Sequence, residues 1–581
     1  MNAPIDPLLS AQRETLAHVL ARAVSELCPG TQLGPLAFTD DGFHHDFALP
    51  RALSSAEFPE LELRMRELLA ASALGEYCEL AAAEALSQLA AAGQPYQRDQ
   101  ASERGPKIGL LRSGPVLSLA AAAPQAPAPD GFELRSLAGA YWRGDERQPM
   151  LTRVYVWAFG SRAELEARHA EQAAAGMREH KKLGRELELF AFDDEIGPGL
   201  PLWLPNGTVI RDELEGLMRE LEFAAGFERV ATPHVARREL YYRTGHLPYY
   251  ADGMFPFMQH EDEVFALKPM NCPHHHKVFA ARRRSHRELP FRISEYGHVY
   301  RYEDSGAVSG ILRTRCMCMN DAHIYCTPEQ VVPELLAVLE MHKQVYALLG
   351  LTEFRIRLST HGDPAKGKFV DDPAGWERSE AILRDVLERS SLAYFEGPGE
   401  AAFYGPKIDF QFRMVTGREE TASTLQLDFA MAERLDLAYV SADGSLQRPL
   451  ILHRAPLGTH ERFVALLIER FGGAFPTWLA PVQARILPVG EAYDDYAREV
   501  QRVLRAQRVR ADVDLSGPTL GKRIRQAAVQ KVPNVLVVGE REQAERAVSV
   551  RRRGAKGSET LSLAEFQERI GRAISSRALG E

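Results

Sequence analysis

Three short segments of this 581-residue chain carry the residue types that hold metal ions, nucleotides and amino acids. They read KPMNCPHHH (268–276), RTRCMCMNDAHIYC (313–326) and LHRAPLGTHERF (452–463). Each supplies one strong metal-ligand candidate: Cys272, His323 and His453. One thiolate and two imidazoles suit a zinc ion, and three protein ligands leave a coordination position open for a substrate. The same segments carry Asn, Asp, Gly and Arg of the kind that grips a nucleotide or an amino acid. Long gaps between ligands are uninformative, so the weight falls on the words around each one.

Those residues need elements to position them. Phe291–Tyr302 and Ile311–Cys326 alternate at period two and read as strands. Successive strand side chains face opposite ways, so Met319, Asp321 and His323 share a face while Cys316 and Cys318 point away. A rival ligand set of Cys316, Cys318, His323 and Cys326 is available as a list, but His323 opposes the three cysteines. Any single Cys or His is more often an ordinary buried residue, and His274, His275 and His276 include spectators on this reading.

The length implies roughly three or four domains. Hydrophobic content of 45% and charged content of 26% are those of a globular chain. No run of 18 apolar residues is present, so no membrane span is expected. The N-terminus, with Asp6 and no basic-then-apolar plan, does not read as a signal peptide. Six cysteines in so long a chain make no disulfide framework, which implies a reduced, cytoplasmic setting. The net charge of −9 hides an asymmetry. Residues 481–581 hold 19 Lys+Arg against 13 Asp+Glu, a net of +6, which leaves −15 for residues 1–480. Basic clusters such as Arg551–Lys556 could contact phosphates.

Residues 1–180 are Ala-rich with helical periodicity at 16–27 and 60–92; the Pro/Ala stretch 119–130 breaks regular structure, 137–145 reads as a turn and 153–158 as a strand. Residues 161–192 read as one long polar connector helix. Beyond about 195 the texture becomes strands and helices: amphipathic helices at Val331–Leu348 and Ser379–Ser390, strands at Ile408–Met414 and Thr424–Phe429. Sequential strands without intervening helices argue for an antiparallel sheet flanked by helices. No G-x-G-x-x-G opens a helix and no P-loop word exists, so a Rossmann or P-loop ATP site is not supported. Residues 484–581 alternate strand and helix, an α/β module of about 100 residues.

These words together resemble the threonyl-tRNA synthetases, a class II aminoacyl-tRNA synthetase family. The resemblance implies an α+β multidomain fold: an editing-like domain with a connector helix at 1–180, a class II catalytic domain (an antiparallel sheet flanked by helices) at 181–480, and an α/β anticodon-binding domain at 481–581. It implies activation of L-threonine with ATP and Mg²⁺, transfer to tRNA(Thr), one Zn²⁺ per subunit on Cys272, His323 and His453, and a homodimer through the region of Pro233. An apolar pocket separates threonine from valine poorly, whereas a site that binds the hydroxyl rejects valine strongly. By the same resemblance Asp321 contacts the substrate hydroxyl. Arg301 and Glu303, in Arg-Tyr-Glu, hold the α-phosphate and the adenine amino group; Arg313 is a second nucleotide arginine. Gly458 admits adenine and Arg462 reaches the γ-phosphate, as planar, permanently charged guanidinium groups suit. Tyr404, Lys407 and Gln426 line the amino-acid and adenylate site, and Glu542 and Arg551 fall on anticodon-reading positions.

Several positions depart from the family. The chain starts directly in the editing-like region, without the family's small ubiquitin-like domain. Of the four editing positions only His18 is kept: Glu14 stands for the first His, and Leu110–Pro115 (LLRSGP) offers neither Cys nor His. Loss of Ser-tRNA hydrolysis is therefore expected. Met319 stands where Gln is frequent, Glu420–Ser423 replaces Trp-Gln-x-Gly, and Gly517 replaces an Asn. Two other functions compete: a threonine-activating paralogue that loads a non-tRNA acceptor or acts as an inhibitor-resistance copy, and a non-catalytic tRNA-binding regulator. The latter has no need of Arg301, Glu303, Arg462 and the metal triad.

Overall fold

The computed structural model describes residues 6–72, 74–124, 130–362 and 369–580. Residues 1–5 of the N-terminal segment and 125–129 of the Pro/Ala stretch lie outside them. The chain divides into two compact units, Met1–Ala174 and Ala175–Glu581. No described helix is long and apolar enough to cross a membrane.

In the first unit a 21-residue helix, Pro7–Leu27, begins at Asp6, whose side chain accepts from the Leu8 amide. Its apolar face (Leu16, Val19, Leu20, Val24) packs with Phe43, Phe47, Phe132, Val154 and Val156 from a four-stranded antiparallel sheet. Buried Arg13 ties the helix to that sheet by donating to the carbonyls of Ala158, Thr39 and Asp40. A second sheet pairs Glu76–Ala81, Lys107–Ser113 and Val116–Leu119.

Three local expectations give way here. The 60–92 run is interrupted, because Glu76–Ala81 is a strand between the helices Phe58–Ala70 and Ala82–Ala91. Residues 137–141 continue the strand Gly131–Tyr141 rather than turning. The connector is likewise two helices, Arg162–Arg178 and His180–Glu186. Glu179 is extended between them (φ −58°, ψ 131°), and His180 places both its amide and Nδ1 on Glu469. That tertiary contact ends what propensity alone would continue.

The second unit is built on an eight-stranded sheet. In chain order its strands are β1 (Glu228–Arg229), β2 (Phe291–Tyr300), β3 (Cys316–Cys326), β4 (Arg355–Thr360), β5 (Tyr394–Pro398), β6 (Lys407–Arg413), β7 (Glu419–Asp428) and β8 (Leu450–Ala455). Their spatial order is β1-β2-β3-β8-β7-β6-β4-β5. The pairs from β2 through β4 are antiparallel, and the short outer strands β1 and β5 pair parallel. The helices Pro205–Ala224, Val331–Leu348, Pro373–Arg389 and His460–Phe471 contribute to one apolar core with this sheet. The C-terminal module is a five-stranded sheet ordered Ala511–Val513, Ala484–Pro488, Asn534–Val538, Ala547–Arg552, Glu559–Ser562, with its own core. Arg510 joins it to the part built on the eight-stranded sheet through Glu213 and the carbonyls of Trp478 and Ala480.

Candidate active site

Strand register assembles the site. His323 on β3 lies opposite His453 on β8, His453 opposite Gln426 on β7, and Gln426 opposite Lys407 on β6. Directly opposed residues project from the same face, so one row across four strands presents two imidazoles, an amide and an ammonium. Cys272 opens the helix Cys272–Ala280. Its Sγ sits 3.4 Å from His453 Nδ1. The ligand atoms of Cys272, His323 and His453 all lie within 4.8 Å of one another, and all three residues are buried.

The hydrogen-bond partners decide which atoms remain for a ligand. His453 Nε2 is bound to Asp428 Oδ2 at 3.0 Å, which leaves Nδ1 facing Cys272. His323 Nδ1 is 2.7 Å from His275 Nδ1, and His275 Nε2 is 3.0 Å from Glu295 Oε2. His323 Nε2 is buried with no hydrogen-bond partner. A buried imidazole nitrogen without a partner is costly unless something binds it. Burial, then the charges of its neighbours, lowers the His323 pKa well below the usual value and keeps the ring neutral, the form that ligates. Burial, then the Asp321 and Asp428 carboxylates, pushes the Cys272 thiol up; a cation at its side reverses that. The set can hold a divalent metal.

Beside it, Asp321 accepts from Asn271 Nδ2 at 3.1 Å, and burial raises its pKa. Tyr404 stacks on His453 (centroids 4.9 Å apart, 17° between planes), and its hydroxyl donates to Gln426 Oε1 at 2.7 Å. Lys407 Nζ reaches Asp409 at 2.8 Å. Cys316 and Cys318 fall on the opposite face of β3 from His323, and among the described residues no cluster joins His323 to Cys316, Cys318 and Cys326.

The arginines gather nearby. Arg462 follows the N-cap Thr459, whose side chain accepts from its amide. It donates to the Thr421 carbonyl at 2.9 Å and more weakly to Leu312. Burial lowers its pKa; Glu420 opposes this, and Arg301 and Arg313 lower it further, so three guanidinium groups share one region. Unpaired, such a cluster repels itself, and an oligophosphate relieves it. Arg301 Nε meets the Pro269 carbonyl at 3.2 Å, while Arg313 pairs with Glu303 at 2.8 Å. Gly458 has φ +53°, and a Cβ there would stand 2.0 Å from the Ala422 carbonyl oxygen, so only glycine fits. Glu542 caps its own short helix through the Gly539 amide, and Arg551 is exposed on the strand Ala547–Arg552.

Residues 255–471 match the family model for the class II tRNA synthetase core domain (G, H, P, S and T), and 483–572 match that of the anticodon binding domain. A threonine--tRNA ligase of Thermus thermophilus is 44% identical over 98% of this chain and 89% of its own length. Those of Deinococcus deserti and Halalkalibacterium halodurans are 42% and 40% identical, over 94% and 98% of this chain and 85% and 89% of theirs. This chain belongs to the threonyl-tRNA synthetase family. Among solved structures, the RNA binding domain of a Cryptosporidium parvum threonyl-tRNA synthetase is similar with TM-score 0.65 at 34% identity, covering 69% of this chain and 99% of that one. A prolyl-tRNA synthetase of the same organism shares the fold alone, at TM-score 0.52 and 16% identity over 68% of this chain and 75% of that one. The antiparallel catalytic sheet and the separate C-terminal α/β module expected from the sequence are both present.

Two supporting groups escaped the sequence reading. Asp428 backs His453, and His275 with Glu295 backs His323; outer partners of this kind orient ligating imidazoles. The HHH run and the Asp at the end of β7 were visible, but their aim depends on helix rotation and strand register. Lys268, wholly buried, completes the second chain by donating to Thr232, which in turn hydrogen-bonds Glu295.

Proposed function

We propose that this chain is a threonine--tRNA ligase that forms threonyl-adenylate from L-threonine and Mg·ATP and transfers the threonyl group to tRNA(Thr). The observation that carries the reading is the row His323–His453–Gln426–Lys407 with Cys272 and Asp321 beside it and the Arg301, Arg313 and Arg462 cluster nearby. Cys272, His323 and His453 would hold Zn²⁺, which supplies an open Lewis-acid position for the amine and hydroxyl of threonine. Asp321 accepts from the threonine hydroxyl, so valine would leave a buried polar group unpaired. Tyr404, Gln426 and Lys407 orient the amino acid and the adenylate, and Gly458 leaves room for the adenine ring.

The reaction asks for no covalent side chain. The threonine carboxylate attacks the α-phosphorus while Arg301 neutralises the α-phosphate, Arg313 joins it, and Arg462 holds the γ-phosphate of the leaving pyrophosphate. Glu303, freed from Arg313, takes the adenine amino group. The terminal ribose hydroxyl of tRNA then attacks the adenylate carbonyl, the acyl–phosphate bond breaks and AMP leaves. Residues 181–480 serve as the catalytic domain and 481–581 as the anticodon-binding domain, where Glu542 and Arg551 meet base edges; two copies pair through the region of Pro233, in the cytoplasm.

Residues 1–180 form an editing-like domain that does not edit. Glu14 is spent on the Ala121 amide at 2.7 Å, and His18 Nδ1 shares a hydrogen with Ser118 Oγ at 3.0 Å. Among the described residues, each of the three candidate metal clusters draws on residues 215–460 and none on this domain. Threonine-dependent ATP–pyrophosphate exchange tests the catalytic reading. Exchange with threonine, and at least about 10²-fold less with valine, is expected; comparable exchange with valine, or none with threonine, contradicts it.

A further inference from the structure

The reverse face of the same sheet carries a second group of ligating side chains. Glu215 on the helix Pro205–Ala224, Cys318 on β3 and His460 at the start of the helix His460–Phe471 bring their ligand atoms within 4.8 Å of one another. Strand alternation separates Cys318 from His323, so this group is distinct from the threonine site. His460 is wholly buried, and neither ring nitrogen has a hydrogen-bond partner. Its plane is fixed by stacking on Tyr296 (centroids 5.7 Å apart, 22° between planes). Burial lowers its pKa to about 3, so the ring is neutral and its lone pair is free to ligate.

Glu215 is arranged to match. Its Oε2 receives Arg219 at 2.8 Å, while Oε1 faces His460 Nδ1 at 3.8 Å, too far for a hydrogen bond. Cys318 is wholly buried, and its amide donates to Glu461 at 3.0 Å, which fixes the strand at that point. His298 lies opposite Cys318 in register and on the same face. Two cations flank the group: Arg219, which donates to Glu215 Oε2, and Arg211, whose guanidinium lies 4.0 Å from Glu215. A thiolate and a carboxylate neutralise a dication, which leaves both guanidinium groups near a neutral centre rather than a repelling one.

We propose that Glu215, Cys318 and His460 form a second divalent-metal site, suited to zinc by its thiolate and imidazole donors, with water or His298 as the fourth ligand. A metal there ties the Pro205–Ala224 helix, the strand bearing Asp321 and His323, and the helix bearing Arg462 into one frame behind the catalytic face. It neither touches substrate nor takes part in the chemistry.

Metal counting on the full-length protein, purified with zinc and dialysed against buffer, tests the site. Two ions per chain are expected. Cys318→Ser and His460→Gln should each bring the count to one while threonine-dependent exchange persists. Cobalt substitution of a Cys272→Ala variant should retain one ion with a thiolate-to-cobalt absorption band, which Cys318→Ser added to it should abolish. The cobalt spectrum and His460→Gln keep the test decisive if Cys318→Ser fails to fold. One ion or none per chain in the parent protein, or a count unmoved by both single variants, overturns the proposal.

Discussion

Two regions of this protein gather histidines, acids and a hydroxyl or thiol within hydrogen-bonding reach, yet they are set up for different ends. Around Cys272, His323 and His453 each imidazole has one nitrogen engaged from behind, by Asp428 or by the His275–Glu295 chain; the other nitrogen of His453 faces the thiol, and that of His323 has no hydrogen-bond partner. Around His18, Ser118 meets Nδ1 and the Ala121 amide takes Glu14, while the buried Nε2 has no hydrogen-bond partner and no thiol beside it among the described residues. Among the described residues His45, buried nearby, has no thiol or carboxylate backing, and the first unit's cysteines, Cys28 and Cys78, belong to none of the candidate clusters. The difference teaches that neither residue type nor an open nitrogen marks a metal site by itself; what counts is whether backed imidazoles converge with a further ligand atom.

The contrast can be broken from the strong side first. Cys272→Ala or His453→Ala should remove the first metal and depress threonine-dependent exchange by more than the roughly 100-fold that loss of an outer partner costs; bound-metal assay alongside exchange kinetics reads both. Arg462→Ala, which removes one charge aimed at the transferring nucleotide, should lower kcat by about 10²–10³-fold with the metal retained. Asp428→Asn and Glu295→Gln leave every ligand in place and should weaken metal binding by about 10–100-fold, measured by chelator competition.

In the first unit the same kind of change should do little. Glu14→His restores one of three missing editing positions, so no hydrolysis of Ser-tRNA should appear in a deacylation assay. A separate effect in the first unit is one of pH. Burial depresses the His45 pKa to about 3, so the unfolded chain binds a proton there that the folded one refuses. Stability contributed by the neutral ring is complete above about 6.5 and is lost as pH falls, by up to about 1.4 kcal/mol per unit, levelling near 3. Thermal melts of the parent and of His45→Gln between pH 7 and 4 should differ in slope in that direction.

Much of this was legible in the residues themselves. Period-two alternation through 316–326 separates His323 from the cysteines without any coordinates, because a strand has only two faces. Helix Val331–Leu348 has the same limits in sequence and structure. Elsewhere the decisive contacts lie far away in the chain. Glu76–Ala81 sits in an Ala-rich run whose local preference is helical, and its pairing with Lys107–Ser113 decides otherwise. The connector breaks at Glu179 because Glu469, nearly 300 residues on, captures His180. His275 reads as one histidine of three until helix Cys272–Ala280 is docked against β3.

Aminoacylation of a tRNA(Thr) transcript, with labelled threonine and labelled serine in parallel, tests the central claim most directly. The account predicts stable threonyl-tRNA, and seryl-tRNA that accumulates slowly and is not cleared by added enzyme. Threonine-dependent exchange with no charging of tRNA would contradict the assigned acceptor, and hydrolysis of seryl-tRNA by the unmodified chain would contradict the silent first unit.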